Sequence, residues 1–287
     1  MQGAVNHNRW CMVERGLLKG WTDPAAVRRR PPELQPEQLV LYPRQTQFVL
    51  PYEVESKEIF QYVEADNGRR YYLKVDLGDR PLRANELLGY RISALVGVDT
   101  PRCEFIQTED GDIAFGSEAI SDVASAVETQ IYLEQPSCTE FGMSLNGLQA
   151  GLTAIHVLDL FLCNVDRHFR NFLIVGEGLE KQLLALDFAR AGFWRWPWRG
   201  FLQPGDGSMI AWRELRERHG FDTSVAELTL GRLAAISPAQ IEVILHQMPP
   251  HWLPASLRSE FLTYCRDGGW AARVDRLREG LGNGAIV

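Results

Sequence analysis

The chain has 287 residues, enough for two lobes with separate cores, and its apolar (45%) and charged (23%) fractions are those of an ordinary soluble globular protein. A net charge of -7 argues against broad, nonspecific nucleic-acid binding, which requires a basic face. Five scattered cysteines without a CxxC spacing predict reduced thiols and no zinc framework. We expect a cytoplasmic protein without a membrane span, because no signal-peptide pattern and no sufficiently long apolar run is present.

The chain divides into three parts by composition. Residues 1–37 are mixed and end in the proline-rich stretch "RRRPPELQPE", which predicts an N-terminal extension. Residues 38–120 are rich in strand formers and predict a small β-rich lobe. Residues 121–287 show mostly helical periodicity and predict a larger, mainly helical lobe.

The first predicted element is a hairpin in "EIFQYVEADNGRRYYLKV", where β-formers lie on both sides of Asn67-Gly68. If Asp66 and Arg69 flank a two-residue turn, Lys74 lies opposite Gln61. The second strand then carries Lys74 back toward "PYEVESK", a turn that could hold a phosphate. The alternative is that Lys74 is an ordinary solvated strand lysine.

A helix follows in "PLRANELLGYRISALVGV", with Leu88, Ile92 and Leu95 on one stripe and Glu86 off that stripe. Packed on the sheet, this helix could direct Glu86 at Lys74 and hold the ammonium group in place. The alternative is a surface glutamate near the helix start, where a negative charge favours the helix dipole.

A second hairpin is predicted in "CEFIQTEDGDIAFGSEAI", with its turn at Asp110-Gly111. The composition becomes helical after "GSEAI". We therefore expect the hinge between the two lobes at this point.

The richest segment follows "GLTAIHVLDLFLCNV", which is apolar almost all round and predicts a buried helix. Next, "FLIV" and "LLAL" predict two short antiparallel strands, with Val175 opposite Leu183 and therefore Asn171 opposite Asp187. Asp166 lies five residues before Asn171 on the same loop. Three oxygen-bearing side chains converge, which suits Mg²⁺ together with phosphate oxygens.

These motifs resemble a known family. Asp166, then Asn171, then a hairpin to Asp187-Phe188 resembles the catalytic and metal-binding segments of the protein-kinase-like fold. The finer patterns "NVDRHFRNFLIV" and "LLALDFA" are similar to HipA-like kinases of bacteria, although phosphoinositide kinases also carry D-R-H-x-x-N. The resemblance covers roughly residues 40–255 and includes "YYLKV", "NELLGYRISALVGVDTP" and "ISPAQIEVILHQMPPHWL". It implies an α+β, bilobal protein-kinase-like fold.

The resemblance also implies a role for each matching residue. Lys74 would bind the ATP phosphates, Glu86 would orient Lys74, and Asp166 would accept or position the proton of the acceptor hydroxyl. Asn171 and Asp187 would hold Mg²⁺. Ser56 would contact phosphate from the preceding turn. Adenine would meet backbone groups near Ser117, Glu118 and Ile120. His168 would either hydrogen-bond the loop backbone or transfer a proton directly.

The sequence departs from the kinase pattern in three places. The turn "PYEVESK" has no glycine, so it is not a G-x-G-x-x-G loop, and "DFA" replaces D-F-G. No segment matches the N-terminal module of full-length HipA toxins, so a toxin–antitoxin role does not follow.

Three classes of function stay open: a kinase acting on Ser/Thr of a protein acceptor, a lipid or small-molecule kinase, and a nucleotide-binding pseudokinase. Intact Lys74, Asp166, Asn171 and Asp187 speak against the pseudokinase. The acidic net charge gives little support to a lipid kinase, which would be expected to carry a basic or apolar membrane-facing patch.

The segment "ARAGFWRWPWRG" after Asp187-Phe188 is in the position that forms an acceptor platform in kinase-like folds. Extended backbone would place the Trp194, Trp196 and Trp198 indoles on one face and Arg195 and Arg199 on the other. Pro197 predicts an edge or a loop. We expect the two arginines to contribute to acceptor recognition. The alternative is that the tryptophans simply anchor the segment to the helical lobe.

Overall fold

Five strands near the start of the described chain close into a small barrel. The computed structural model describes residues 42–51, 58–135, 147–176, 181–284 and 286. The barrel strands are β1 (Arg44–Leu50), β2 (Gln61–Ala65), β3 (Arg70–Lys74), β4 (Cys103–Gln107) and β5 (Ile113–Glu118). Their order is β1-β2-β3-β5-β4, and all neighbours are antiparallel except the parallel pair β1 and β4 that closes the barrel.

Alternation along the strands decides which side chains fill the barrel. Val63, Leu73, Ile106 and others of the same parity form a small apolar cluster of their own. Residues of the opposite parity on β3 and β5 point away from that cluster. Lys74 is one of them and is paired across the strands with Phe115, which belongs to the larger core. This parity directs Lys74 toward the helical layer.

The hairpin of β2 and β3 exists as predicted, but its register differs by one residue. Gln61 pairs with Leu73, not with Lys74. The Ala65 N–H donates to Arg69 O at 2.9 Å, and Gly68 has a φ of 71°, so the loop holds three residues instead of two. A glycine in the left-handed region is what such a three-residue loop requires.

The predicted hairpin at Asp110-Gly111 is also present, as β4 and β5. Gln107 pairs with Ile113, and Thr108 N–H donates to Asp112 O at 2.9 Å. Gly111 has a φ of 86°, so this loop is of the same three-residue kind.

The first helix, α1 (Leu82–Val96), is buried along nearly its whole length. Its predicted stripe of Leu88, Ile92 and Leu95 is buried, and so is Glu86. The alternative of a surface glutamate is therefore wrong. The reason is tertiary, because the barrel and the later helices cover α1 on opposite sides, so no side of the helix at this level faces solvent.

The remaining helices and two short strands follow in chain order. They are α2 (Ala126–Glu134), α3 (Leu148–Leu162), β6 (Phe172–Val175), β7 (Gln182–Ala185), α4 (Gly207–His219), α5 (Thr223–Ala234), α6 (Pro238–Gln247), α7 (Ala255–Arg266) and α8 (Gly269–Gly282). α3 is the predicted buried helix, and its apolar side chains belong to the large core. Among the described helices none alone is long and apolar enough to cross a membrane; α5 and α6, bent by 78°, meet that length and composition only as a pair.

The architecture is a mixed α+β fold with a small strand-rich part and several helices. The described residues all belong to a compact unit spanning Leu34–Val287. The predicted extension, residues 1–37, lies outside the described residues. The division into lobes at residue 120 stays a prediction.

Candidate active site

Lys74 lies at the centre of a buried cluster of three ionisable side chains. Its Nζ is 2.5 Å from Glu86 Oε1 and 2.8 Å from Asp187 Oδ1. β3 supplies the lysine from the outer face of the barrel, α1 supplies Glu86, and the segment after β7 supplies Asp187. Lys74 and Glu86 are buried, whereas the Asp187 side chain is 22% exposed. The cluster therefore opens toward solvent on the Asp187 side.

The electrostatics of this cluster are unbalanced, with two carboxylates and one ammonium group. Burial raises the pKa of Glu86 to about 7, and Lys74 offsets only part of that effect. Burial disfavours charged Lys74, but the attraction of Asp187 and Glu86 outweighs it and raises the pKa of Lys74. Burial acts against charged Asp187 as well, but Lys74 outweighs it and lowers the Asp187 pKa to about 2.

Helix α1 also holds the backbone that follows Asp187. Glu86 Oε2 accepts a hydrogen bond from Phe188 N–H at 3.1 Å. The Asn85 side chain donates to Ala189 O at 2.7 Å and accepts from Phe193 N–H at 2.8 Å. Phe188 packs on the backbone of Gly89, where an added Cβ would collide with the ring. Asn85 was missed by sequence reasoning, although its position beside Glu86 was a usable signal.

The loop before β6 brings Asp166 and Asn171 together. The Asn171 amide donates from Nδ2 to Asp166 O at 2.8 Å, so the asparagine side chain fixes the backbone of the loop. Asn171 O accepts from Leu186 N–H at 3.1 Å, which joins the loop to the start of the Asp187 segment.

The register of β6 and β7 differs by one residue from the sequence-based pairing. Val175 pairs with Gln182, and Asn171 consequently lies opposite Leu186 instead of Asp187. The apolar pattern constrained this register poorly, because both faces of the two strands are apolar. A shift by one residue therefore still places apolar side chains on each face. Asp187 instead reaches the site through a φ of 64°, which is uncommon for a residue other than glycine.

A second buried ionic cluster supports the same loop and was not predicted. Arg167 donates from Nε and Nη2 to the two oxygens of Asp159, at 2.8 and 2.9 Å. Its Nη1 donates to Asn171 O at 3.0 Å and to Leu186 O. Asn164 adds a bond from Nδ2 to Asp159 Oδ1 at 2.9 Å. A lone aspartate in the otherwise apolar α3 was the available signal, because a buried charge needs a partner.

Asp166 itself is partly exposed and is paired with one cation. Its Oδ2 is 3.2 Å from Arg190 Nη1, and 38% of its side chain is accessible. Arg190 also donates from Nε to Glu58 Oε1 at 2.9 Å. The Asp166 carboxylate therefore faces solvent beside a guanidinium group.

No protein-family model matches this sequence, and no curated protein has a significant sequence match. Among solved structures, that of the Helicobacter pylori proinflammatory kinase CtkA is similar, with a TM-score of 0.51 and 14% identity over 81% of this chain and 95% of that one. The chain shares the fold of that kinase. The resemblance predicted from the sequence is thus confirmed at the level of the fold.

Two further solved structures match this chain with lower TM-scores. HipA of the Shewanella oneidensis MR-1 toxin–antitoxin system, solved with HipB and operator DNA, matches with a TM-score of 0.44 and 11% identity over 92% of this chain and 72% of that one. The open conformation of CtTel1 matches with a TM-score of 0.34 and 16% identity over 80% of this chain and 12% of that one. Neither score is high enough to support a conclusion.

Within this kinase-like fold, the other predicted contacts fall at the rim of the barrel or on the loop. Ser117 and Glu118 end β5; the Ser117 hydroxyl lies 2.8 Å from Tyr90 Oη, and Glu118 pairs with Arg69 at 2.8 Å. Ile120 follows them and is half-buried. Ser56 lies outside the described residues.

His168 is exposed, and its imidazole has no hydrogen-bond partner in the described part of the chain. Its carbonyl accepts from Asn171 N–H at 2.8 Å. The backbone of His168 therefore shapes the loop, while the ring faces solvent.

Asn171 and Asp187 supply candidate oxygen ligands for a cation. Asn171 donates from Nδ2 to Asp166 O, and Asp187 Oδ1 contacts Lys74 Nζ and accepts from Ala189 N–H. Among the described residues, Asn171 Oδ1 and Asp187 Oδ2 have no partner. An amide and a carboxylate oxygen are the hard ligands that Mg²⁺ accepts, with phosphate and water filling its other positions. The residues present fit Mg²⁺.

The tryptophan-rich segment after Phe188 is a loop, as Pro197 predicted, but it is not extended. Residues Gly192–Arg195 form a 3-10 turn, and the Trp196–Pro197 peptide bond is cis. Trp198 is buried and donates from Nε1 to Gly192 O at 2.7 Å. The expected extended backbone is therefore wrong, because the 3-10 turn breaks the period of two. The three indoles are nevertheless half-buried or buried while Arg195 and Arg199 are exposed.

The aromatic rings of this loop pack against the helices, in agreement with the alternative that the tryptophans anchor the segment. Trp196 and Trp198 both pack edge-on against Phe261 of α7. Arg195 forms two hydrogen bonds to Asp206, at 2.9 and 2.6 Å, and Arg199 is exposed.

Proposed function

We propose that this protein is an ATP- and Mg²⁺-dependent phosphotransferase of the HipA-like kinase type that phosphorylates Ser or Thr of a protein acceptor. One observation carries the proposal. The buried Lys74 lies between Glu86 and Asp187, beside the loop that carries Asp166 and Asn171. Such an arrangement of a lysine, two acids and a loop aspartate meets the needs of phosphoryl transfer, which depends on positioning and charge neutralisation.

Each side chain has a task in that proposal. Lys74 binds the nucleotide phosphates, and Glu86 keeps its ammonium group in place when phosphate oxygens compete with Asp187. Asn171 Oδ1 and Asp187 Oδ2 would hold Mg²⁺, which neutralises phosphate charge when bound. The surplus carboxylate of the cluster favours the uptake of a cation.

Asp166 accepts the proton of the acceptor hydroxyl as that oxygen attacks phosphorus. Its partial exposure lets a macromolecular hydroxyl reach it, and the Asn171 amide fixes the loop on which it sits. His168 contributes through its carbonyl, since its ring faces solvent.

Adenine would lie against the end of β5. The Glu118 N–H already donates to Arg102 O at 2.8 Å, and the Ala119 N–H donates to Arg70 O at 2.8 Å. Backbone recognition is therefore left to carbonyl groups near Ser117 and Glu118 and to the backbone of Ile120, which has no backbone partner within the described residues.

A protein acceptor in the cytoplasm agrees best with the charge of the chain. The net charge of -7 disfavours attraction to an anionic membrane surface or to nucleic acid.

The decisive experiment measures binding first and transfer second. ATP with Mg²⁺ at about 100 times its dissociation constant should stabilise the protein by roughly 2.7 kcal/mol in thermal unfolding. Incubation with labelled ATP, with and without cell lysate, should then label a protein band. Asp187→Asn is the control that should lose the Mg²⁺-dependent part of the shift. No shift at millimolar ATP and Mg²⁺ would contradict the proposal.

A further inference from the structure

Arg190 touches the proposed catalytic base, yet it has none of the roles assigned above. Its Nη1 lies 3.2 Å from Asp166 Oδ2, and its Nε donates to Glu58 Oε1 at 2.9 Å. A guanidinium group carries five N–H donors, and within the described residues only Nε and Nη1 have partners. The side chain is therefore placed at the reaction centre with donors to spare.

The residue is fixed at its backbone and exposed at its tip. Arg190 O accepts from Val165 N–H at 3.2 Å, one residue before Asp166. The guanidinium carbon lies 5.6 Å from the centre of the Trp194 ring, a favourable cation–π distance. The side chain is 39% exposed, so its end group can shift by a few ångströms without disturbing the core.

The negative charge around the site calls for a second positively charged side chain besides Lys74. Four carboxylates, those of Glu58, Glu86, Asp166 and Asp187, surround Lys74 and Arg190. Lys74 already lies between two of them. A triphosphate adds further negative charge, and the γ-phosphoryl group must approach Asp166 because the attacking hydroxyl lies between the two.

We propose that Arg190 is a further catalytic residue, whose guanidinium group binds the γ-phosphoryl group of ATP and pairs with Asp166 when that group is absent. This inference rests on the proposed function. In the transfer step the acceptor oxygen forms a bond to the γ-phosphorus, the bond to the ADP oxygen breaks, and the hydroxyl proton goes to Asp166. Arg190 keeps its proton throughout and offsets charge on the transferring oxygens.

The test compares two nucleotides that differ at the γ-position. Titration calorimetry on the full chain with Mg²⁺ measures the binding of AMP-PNP and of ADP. Arg190→Gln should weaken AMP-PNP binding about tenfold, as loss of a charge-assisted hydrogen bond predicts, and change ADP binding by less than about twofold. Arg190→Lys, which keeps the charge and loses the planar group, should fall between.

The matched control is Arg80→Gln. The Arg80 guanidinium carbon lies 4.5 Å from the same Trp194 ring, but among the described residues it has no carboxylate partner. This variant should bind both nucleotides as the wild type does. Thermal unfolding of each variant shows whether its fold is retained.

Two results would overturn the inference while leaving the proposed function intact: equal weakening of AMP-PNP and ADP by Arg190→Gln, or no weakening of either. Faster turnover in Arg190→Gln with unchanged AMP-PNP binding would make Arg190 a brake on Asp166 and would also overturn it. Failure of the wild type to bind either nucleotide would contradict the proposed function itself, and with it this inference.

Discussion

Two buried ionic clusters lie at this site, and they differ in charge balance and in access. In the Arg167–Asp159 cluster one guanidinium group meets one carboxylate through two hydrogen bonds, and both side chains are almost completely buried. In the Lys74 cluster one ammonium group meets two carboxylates, and Asp187 keeps contact with solvent.

We interpret the balanced cluster as structural and the unbalanced one as the proposed nucleotide site. Arg167 also binds the Asn171 and Leu186 carbonyl groups, so its charge and its donors are used within the fold. The Lys74 cluster has two carboxyl groups for one ammonium group and an open side, which leaves it suited to an external cation and phosphate. Burial of charge by itself therefore does not identify a catalytic group, whereas imbalance together with access does.

The largest effect is expected from breaking the balanced cluster. Arg167→Met would leave the Asp159 carboxylate buried without its cation and would remove one donor from each of the Asn171 and Leu186 carbonyl groups. We expect a loss of roughly 3–5 kcal/mol in the free energy of unfolding, measured by urea denaturation.

The matched variants are Asp159→Leu and the double variant Asp159→Leu, Arg167→Met. Since the double variant leaves no charge unpaired, its loss should be smaller than the sum of the two single losses. Additive losses would show that the pair does not act as one unit.

The next largest effect concerns turnover. Asp166→Ala should spare ATP binding and lower turnover by about 10²-fold or more, because the carboxylate acts on the acceptor proton. Asp187→Asn should instead weaken Mg²⁺-dependent nucleotide binding. Steady-state kinetics and calorimetry on both variants measure this. Loss of ATP binding in Asp166→Ala with normal turnover per bound nucleotide would reverse the two roles.

A smaller effect concerns pH and the unbalanced cluster. The folded-state pKa of Glu86 is raised to about 7, above its ordinary value of 4.5. Between these values the unfolded chain has lost the proton that the folded chain retains, so Glu86 contributes stability at low pH that is lost as pH rises through 7. Relative to Glu86→Gln, the wild type should lose on the order of 2 kcal/mol between pH 4.5 and 7.5.

Urea denaturation of both proteins across that pH range measures the difference. Using Glu86→Gln as the reference cancels the contributions of histidines such as His156, whose pKa burial lowers. If the difference in unfolding free energy between the two proteins does not change over this pH range, Glu86 is already ionised in the folded protein at the low end of the range.

The smallest effect is expected at the arginines after Phe188. Arg195 pairs with Asp206 at the surface, so Arg195→Ala should cost less than about 1 kcal/mol of stability. ATP affinity should not change in the double variant Arg195→Ala, Arg199→Ala. Transfer to an acceptor, once one is found, tests whether either arginine recognises it; unchanged transfer would remove both from the acceptor site.

Much of the site could be predicted from local sequence. Glycine at 68 and 111 placed both barrel hairpins, and the apolar run of α3 predicted its burial. The order of Lys74, Asp166, Asn171 and Asp187 carried the resemblance to HipA-like kinases. These signals are local, because a turn needs a residue that tolerates positive φ and a buried helix needs apolar side chains all round.

Only the tertiary structure decided which residues of different elements meet. The register of the β2–β3 hairpin and that of the β6–β7 hairpin each differed by one residue from the prediction, since loop conformation sets register and apolar composition tolerates either pairing. The burial of Glu86 followed from packing on both sides of α1. The residues around Asp159 do not indicate that Arg167 is its partner. Those around Asp166 do not indicate that Arg190 is its partner. Charge balance is a property of the assembled site, and that property distinguishes the side chains that support the loop from those suited to bind a nucleotide.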